Sequence, residues 1–166
     1  MPRRSPKPAL GDARAVSLNE EVELLRKIPL FANLEPSKLK LLAFTSDRIA
    51  FDAGQVLFNQ GDMGDAAYII VEGEAEVKIG TPTGALTVAT LARNDFVGEI
   101  AILCDVPRTA TVQAKTRLVT LRIAKDLFFR LIAEFPQMSV EIMRELASRL
   151  EHTTAQLREA IAAAEK

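Results

Sequence analysis

The sequence predicts an α+β protein built on an antiparallel β-roll, a jelly-roll-like arrangement of about eight strands, with helices before and after it. Two observations predict this fold. Short β-prone runs separated by turn signals fill the middle of the chain, and helical patterns flank them. Regular short strands at this spacing are typical of a sandwich or closed roll. The 166 residues suffice for one hydrophobic core.

The composition is that of a folded protein, with 48% apolar and 26% charged residues. The net charge of −1 offers no general attraction to a phosphate backbone, so direct DNA binding is not expected. No apolar run approaches the roughly 20 residues that cross a bilayer, and the N-terminus lacks a secretory pattern. We therefore predict a cytoplasmic protein without a membrane partner.

The pattern divides the chain into a tail, a helical segment and a roll that ends in helices. Ser17 and Glu20 have the spacing of a capping box, and the first helix should stop before Pro29. A second helix should begin at Pro36. The expected buried face of this helix is Leu39, Leu41 and Leu42. The predicted segments are a disordered tail at 1–16, helices at 17–45, and a domain at 46–166 with its roll at 46–124 and helices at 125–166.

Glycines punctuate the predicted strands, and each is interpreted first as a turn residue. Glycine adopts positive φ without strain, and tight turns often require this conformation. We therefore expect backbone geometry, and not ligand contact, to explain four of them. These are Gly54, Gly61, Gly64 and Gly73.

Two helices should close the chain. Helical spacing of Leu127, Phe128, Leu131 and Ile132 predicts one helix that ends at Pro136. The next should run some 25 residues, too long to lie wholly on a small roll, and its near-heptad seam predicts a two-fold homodimer. A helix that projects into solvent or docks on another domain is the alternative. The seam comprises Ile142, Leu146, Leu150, Thr153, Leu157 and Ala160.

The stretch "GEIAILCDVPRTA", from position 98 to 110, carries the chemistry. A short helix opening near Gly98 would point the N–H groups of Ile100 and Ala101 at an anion. The planar fork of Arg108 matches phosphate oxygens, and the Thr109 hydroxyl can add a bond. Glu99 would repel a phosphate, so it is better suited to accept from a sugar hydroxyl. The combination indicates a compact nucleotide.

These residues resemble the phosphate-binding cassette of the cyclic nucleotide-binding domain family, in which Gly-Glu is followed by a short apolar helix, Arg, a small residue and Ala. The resemblance extends over about residues 17 to 155. It implies that Glu99 holds the ribose 2′-hydroxyl and that Arg108 pairs with the cyclic phosphate. The other implied pocket residues are Gly98, Ile100 and Ala101 through their backbone, with Thr109 and Ala110 completing the pocket.

Two residues depart from the family pattern. Asp105 stands where members often have Gly, and an aspartate near a phosphate would weaken binding, so we expect it to face solvent. Val97 separates Phe96 from Gly98 where many relatives read Phe-Gly-Glu. The entering strand is therefore expected to be offset by a residue, with Val97 in the pocket wall.

The resemblance also implies that the last helix covers the base. Arg149 stands where channels of the family carry a base-capping arginine, and Thr153 and Thr154 stand where the catabolite activator protein has a hydroxyl pair, one from the partner subunit. A solvated arginine and seam-filling threonines are the alternative. Thr109 also resembles the threonine of cGMP-selective domains. The threonine pair favours adenine, so we predict cAMP over cGMP.

We therefore predict a stand-alone cyclic nucleotide receptor that is not an enzyme, needs no metal or cofactor, and regulates an unidentified partner protein. One alternative is a regulatory fragment of a Crp-type transcription factor or a channel, although nothing after Lys166 could enter a DNA groove. A remote alternative is a cupin-like enzyme, which needs converging metal ligands, and His152 is the one histidine. Cys104, the one cysteine, is expected to be a small packing residue.

Overall fold

The computed structural model describes residues 18–165, so the tail at 1–16 and the Ser17 capping position lie outside the described residues. The helices are α1 (Leu18–Arg26), α2 (Pro36–Thr45), α3 (Glu99–Leu103), α4 (Lys125–Glu134) and α5 (Pro136–Ala164), with a 3-10 turn at Pro29–Phe31. The strands are β1 (Asp47–Phe51), β2 (Val56–Phe58), β3 (Ala66–Glu72), β4 (Ala75–Thr81), β5 (Gly84–Leu91), β6 (Phe96–Val97), β7 (Thr111–Ala114) and β8 (Leu118–Ala124).

These strands form two four-stranded antiparallel sheets. One sheet has the order β1-β8-β3-β6 and the other β2-β7-β4-β5. Every pairing is antiparallel, and consecutive strands alternate between the sheets except for the β4–β5 hairpin, so the expected β-roll flanked by helices is confirmed. Within the described residues, no helix has both the length and the apolar character needed to cross a membrane.

The central strand β3 separates two parts of the core. Ala67, Ile69 and Val71 face the helices, whereas Tyr68 and Ile70 face the interior of the roll. Side chains alternate along a strand, so a strand covered on both faces contains an unbroken apolar run. This is why "AAYIIV" shows no polar alternation.

The two helices before the roll agree with the sequence in all but one position. Leu39 and Leu42 are fully buried, as expected, but Leu41 is 43% exposed. The prediction for Leu41 is wrong because it lies about 200° round the helix from Leu39, whereas Leu42 lies one turn away. The α2 helix begins at Pro36, as predicted.

Three of the four turn glycines have the expected conformation. Gly54, Gly61 and Gly73 have φ near +90°, but Gly64 has no positive φ, and its prediction is wrong. A Cβ on Gly64 would lie 2.6 Å from the Cβ of Ala101 and 3.3 Å from the Cζ of Arg108. Glycine is required there because the chain passes closely over the predicted binding segment.

The closing helix α5 has 29 residues and changes character along its length. Met138 and Ile142 are buried in the core shared by the helices and one face of β3, whereas Leu150 is 68% exposed. Ile142 is buried in the core and Leu146 packs against it, so the apolar seam predicted through these two positions is wrong there. Leu150 and Leu157 of the predicted seam are exposed, as are Met143 and Ile161. With the half-buried Thr154, these residues form the exposed stripe of α5.

Candidate functional site

The short helix α3 starts from a glycine in the left-handed conformation. Gly98 has φ +89°, which L side chains rarely adopt. A Cβ at this position would also lie 2.6 Å from Nη1 of Arg108. Gly98 therefore serves both as the turn into α3 and as the close approach that admits the guanidinium.

Hydrogen bonds fix both the backbone and the side chain of Arg108. Its N–H donates to the carbonyl of Asp62 at 2.7 Å, and its carbonyl accepts from the N–H of Gly61 at 2.8 Å. The side chain, only 4% exposed, donates from Nη1 to the carbonyl of Gly98 at 2.7 Å and from Nη2 to the carbonyl of Ala66 at 2.6 Å. These bonds fix the guanidinium under α3.

The charge of Arg108 has no counter-ion in the part of the chain that the structure describes. No carboxylate there lies within 4.0 Å of the guanidinium, and the buried Nε has no hydrogen-bond partner. The Cζ lies 4.0 Å above the ring of Phe58, a cation–π contact. Burial lowers the pKa of Arg108, yet an arginine stays protonated in proteins. The site is thus a buried, fixed cation open to an anion.

Glu99, at the first position of α3, is the other buried charge of the site. It is 2% exposed, and burial raises the pKa of its carboxyl while the neighbouring Arg149 opposes that rise. One oxygen, Oε1, accepts from Nη1 of Arg149 at 2.8 Å. The carboxylate retains capacity to accept from a further donor, such as a sugar hydroxyl.

Arg149 links α5 to this segment. Besides Glu99, its guanidinium donates from Nη2 to the carbonyl of Phe96 and, at 2.9 Å, to Glu145 one turn earlier on the helix. Its side chain is 37% exposed. The last helix is therefore tied to both β6 and α3 through one side chain.

A cavity of about 470 Å³ lies between α3, the β4–β5 hairpin and α5. It brings together most of the residues named from sequence: Val97, Gly98, Glu99, Ile100, Ala101, Arg108, Thr109, Ala110, Arg149 and Thr153. The remaining lining is Phe58, Val77, Val88, Ala89, Thr90, Leu91, Val112, His152 and Gln156. Sequence reasoning missed these residues.

Comparison with known proteins identifies the family to which this fold and site belong. Residues 48–135 match the family model described as the cyclic nucleotide-binding domain. The chain belongs to the cyclic nucleotide-binding domain family. This match covers the roll from β1 to the end of α4, including both Glu99 and Arg108.

Relatives of this cyclic nucleotide-binding domain are regulatory proteins by name. The cAMP-dependent protein kinase regulatory subunit of Schizosaccharomyces pombe is 35% identical over 121 residues, which are 73% of this chain and 28% of that protein. The CRP-like cAMP-activated global transcriptional regulator of Mycobacterium tuberculosis is 29% identical over 140 residues, 84% of this chain and 62% of that protein. This chain thus spans less than a third of the kinase subunit.

Among solved structures, the catabolite activator protein of Thermus thermophilus superimposes with a TM-score of 0.70 at 27% identity. The match covers 78% of this chain and 61% of that chain. The similarity reaches beyond the family-model match and supports the same β-roll and helix arrangement for the cyclic nucleotide-binding domain.

Two departures from the family pattern can now be located in the domain. Asp105 has φ +52° and a side chain that is 81% exposed, 3.4 Å from the Nζ of Lys125, so its expected solvent orientation is confirmed. The positive φ explains why glycine suits this position. Val97 is buried, pairs with Tyr68 in β3 and lines the cavity as expected. The one-residue offset of its strand stays a prediction.

Thr154 does not line the cavity of its own chain, because it lies about 100° round α5 from Thr153. Its expected role, in which one hydroxyl of the pair comes from the partner subunit, stays a prediction. The expectation for Cys104 is wrong. Cys104 is exposed and not a packing residue, since it caps the end of α3 where an exposed turn begins.

Proposed function

We propose that this chain is a cyclic nucleotide receptor that binds cAMP in preference to cGMP, dimerises through α5 and transmits occupancy to a partner protein. The observation that carries the proposal is the buried Arg108, a fixed cation without a carboxylate partner among residues 18–165, at the wall of a cavity of about 470 Å³. A buried charge is costly unless it is paired, and a cyclic phosphate would supply the missing anion.

The neighbouring groups suit the rest of the nucleotide. Glu99 has acceptor capacity beyond its bond to Arg149, and in this proposal it accepts from the ribose 2′-hydroxyl. The backbone of Gly98, Ile100 and Ala101 surrounds the phosphate, with Thr109 and Ala110 beside it. The apolar face of the hairpin leaves room for the base.

Adenine is proposed over guanine on two grounds. Thr153 lines the cavity, and a hydroxyl there can accept from the exocyclic amino group of adenine. The names of the kinase regulatory subunit and of the mycobacterial regulator both specify cAMP. The cGMP alternative, based on Thr109, is tested by direct comparison of the two nucleotides.

Coupling to a partner would run through Arg149. The same carboxylate that receives the ribose also holds α5, so ligand and helix share Glu99. A ligand shifts the helix only to the extent that it binds the two helix positions with different affinity. Truncation at residue 147 removes the shared contact and should abolish any ligand-induced change in hydrodynamic radius, whereas the full chain should show one.

The proposed dimer uses the exposed stripe on α5. Leu150, Thr154, Leu157 and Ile161 follow steps of four, three and four, the spacing of a coiled-coil seam, and all lie beyond the part of α5 that packs on the roll. Thr154, directed away from its own cavity, would then lie at the partner helix. Light scattering should give twice the chain mass, and Leu157→Glu should return the monomer mass.

The deciding experiment is isothermal titration calorimetry with cAMP, cGMP and a cyclic dinucleotide in parallel. We expect saturable 1:1 binding per chain for cAMP, weaker binding for cGMP and none for the larger dinucleotide. Absence of binding to both mononucleotides would contradict the proposal. Binding of cGMP equal to or tighter than cAMP would overturn only the base preference.

The receptor is further proposed to act as a stand-alone regulator and not as an enzyme. Its named relatives are a regulatory subunit and a transcriptional regulator, which supports a regulatory role. The alternative, a regulatory segment of a larger transcription factor or channel, predicts the same ligand. The two are distinguished by the size of the native protein in the cell, measured with an antibody against this domain.

A further inference from the structure

Four polar side chains of α5 line the cavity. These are Arg149, His152, Thr153 and Gln156. Their spacing of i, i+3, i+4 and i+7 places them on a single helix face. The wall opposite, on β5 and β6, is mainly apolar and includes Val88, Leu91 and Val97. A base in this cavity would therefore meet apolar side chains on one side and hydrogen-bonding groups on the other.

Arg149 uses three of its five N–H donors for bonds within the chain. Its Nη1 is bonded to Glu99, and its Nη2 is bonded to the carbonyl of Phe96 and to Glu145. By contrast, the Gln156 side chain has no hydrogen-bond or ionic partner among residues 18–165. Among the described residues, the Gln156 amide therefore keeps all its donors and acceptors for a ligand.

The position of Gln156 along α5 suits the far edge of a base. Seven residues separate it from Arg149, about 10 Å of helix at 1.5 Å per residue. Helical side chains tilt toward the N-terminus, so the Gln156 amide reaches back toward the level of His152 and Thr153. With the ribose at Glu99, as proposed, the base edge would lie on that side of the cavity.

Resting on the proposed function, we infer that Gln156 is a specificity-determining residue that binds the N6 and N7 edge of adenine. A primary amide presents one donor and one acceptor side by side, which matches the N6–H donor and N7 acceptor of adenine. Guanine presents two acceptors, O6 and N7, at the same edge. The Gln156 amide therefore makes both bonds only with adenine.

The test combines deletion of one ligand atom with deletion of the side chain. Wild type and Gln156→Ala are titrated by calorimetry with cAMP, cGMP and 7-deaza-cAMP, in which N7 is replaced by C–H. For wild type we expect 7-deaza-cAMP to bind about tenfold more weakly than cAMP. In Gln156→Ala, cAMP should weaken by about the same factor, and the two ligands should become nearly equal. The preference for cAMP over cGMP should also shrink.

Glu159→Gln is the matched control, since Glu159 is exposed on the same helix and does not line the cavity. It should preserve the wild-type ratio between cAMP and 7-deaza-cAMP. A ratio that stays near tenfold in Gln156→Ala overturns the inference while the receptor function stands. Equal binding of the two ligands to wild type also overturns it. If neither cAMP nor cGMP binds wild type, the proposed function itself fails and this inference with it. Circular dichroism of each variant verifies folding.

Discussion

Two arginines line the same cavity, and their surroundings differ in kind. Arg108, beside the cassette helix α3, is 4% exposed and bonded to two carbonyls, with no carboxylate within 4.0 Å among the described residues. Arg149, on the helix α5, is 37% exposed at its side chain and bonded to two carboxylates. Among residues 18–165 the first cation lacks a counter-ion, whereas the second has two. The difference supports the proposed roles of Arg108 as a ligand-binding arginine and Arg149 as a tethering arginine.

The largest expected effect comes from removing the cation without a counter-ion. Arg108→Ala should weaken cAMP binding by about 3–5 kcal/mol, or roughly two to three and a half decades in Kd, because the phosphate is left buried without its partner. Arg130→Ala, an exposed arginine on α4, is the matched control. Calorimetry measures both. An unchanged Kd for Arg108→Ala would remove the assignment of the phosphate site.

The next effect concerns the carboxylate that both ligand and helix share. Glu99→Gln should weaken cAMP binding by about 1.5–3 kcal/mol, since a hydrogen bond to a charged acceptor is replaced by a neutral one. Titration with 2′-deoxy-cAMP sharpens the test, because this ligand lacks the hydroxyl and should bind wild type and variant almost equally. A large loss for the deoxy ligand in Glu99→Gln would assign the carboxylate to the helix tether instead.

A pair of glycine variants separates steric fit at the site from backbone strain. Gly64→Ala would place a Cβ 2.6 Å from Ala101, so we expect about 1–3 kcal/mol of destabilisation and displacement of α3 with weaker cAMP binding. Gly54→Ala has open space but φ +90°, so it should lower stability by about 1 kcal/mol and leave binding unchanged. Urea unfolding and calorimetry measure the two properties. Equal effects on binding would contradict the close approach at Gly64.

The tethering arginine should matter less for affinity than the phosphate-binding one. Arg149→Ala is expected to weaken cAMP binding by about 1 kcal/mol, roughly fivefold, because it removes a partly exposed ion pair and not a contact to phosphate. The exposed Arg158 on the same helix, changed to Ala, provides the control. A loss as large as that of Arg108→Ala would show that the two arginines are not distinct in role.

The smallest effect is a pH dependence of stability that belongs to Glu99. Burial holds the pKa of this carboxyl above its ordinary value of 4.5. A raised folded-state pKa means that its stability contribution is present at low pH and is lost as pH rises through that pKa. The free energy of unfolding of wild type minus that of Glu99→Gln should therefore fall as pH rises from about 4 to 7. A difference that grows with pH would mean that the charge of Arg149 lowers the pKa of Glu99 by more than burial raises it.

The sequence predicted the parts of the fold and site that depend on local pattern. Three of the four turn glycines, the helix start at Pro36 and the helix end before Pro136 each follow from a few neighbouring residues. Glu99 and Arg108 were found because the cassette lies in one continuous stretch. Their burial in the structure is what such a motif requires.

The features that the sequence did not predict are set by distant contacts. The apolar wall at Val88 and the ring of Phe58 lie in strands far along the chain, so no local signal connects them to Arg108. Gly64 was misread because its neighbour in space, Ala101, is not its neighbour in sequence. The seam on α5 was wrong at Ile142 and Leu146 because a heptad pattern does not reveal which turns of the helix pack on the core.

The length of α5 has a mechanical consequence. The helix starts at Pro136, directly after the end of α4, and its 29 residues extend about 43 Å. A rotation of about 10° at that joint would sweep its far end through roughly 7 Å, by simple geometry of a rigid rod. Arg149 lies 13 residues beyond Pro136, about 20 Å along the helix axis. Under the proposed coupling, a displacement at Arg149 would therefore be about doubled at the far end of the helix.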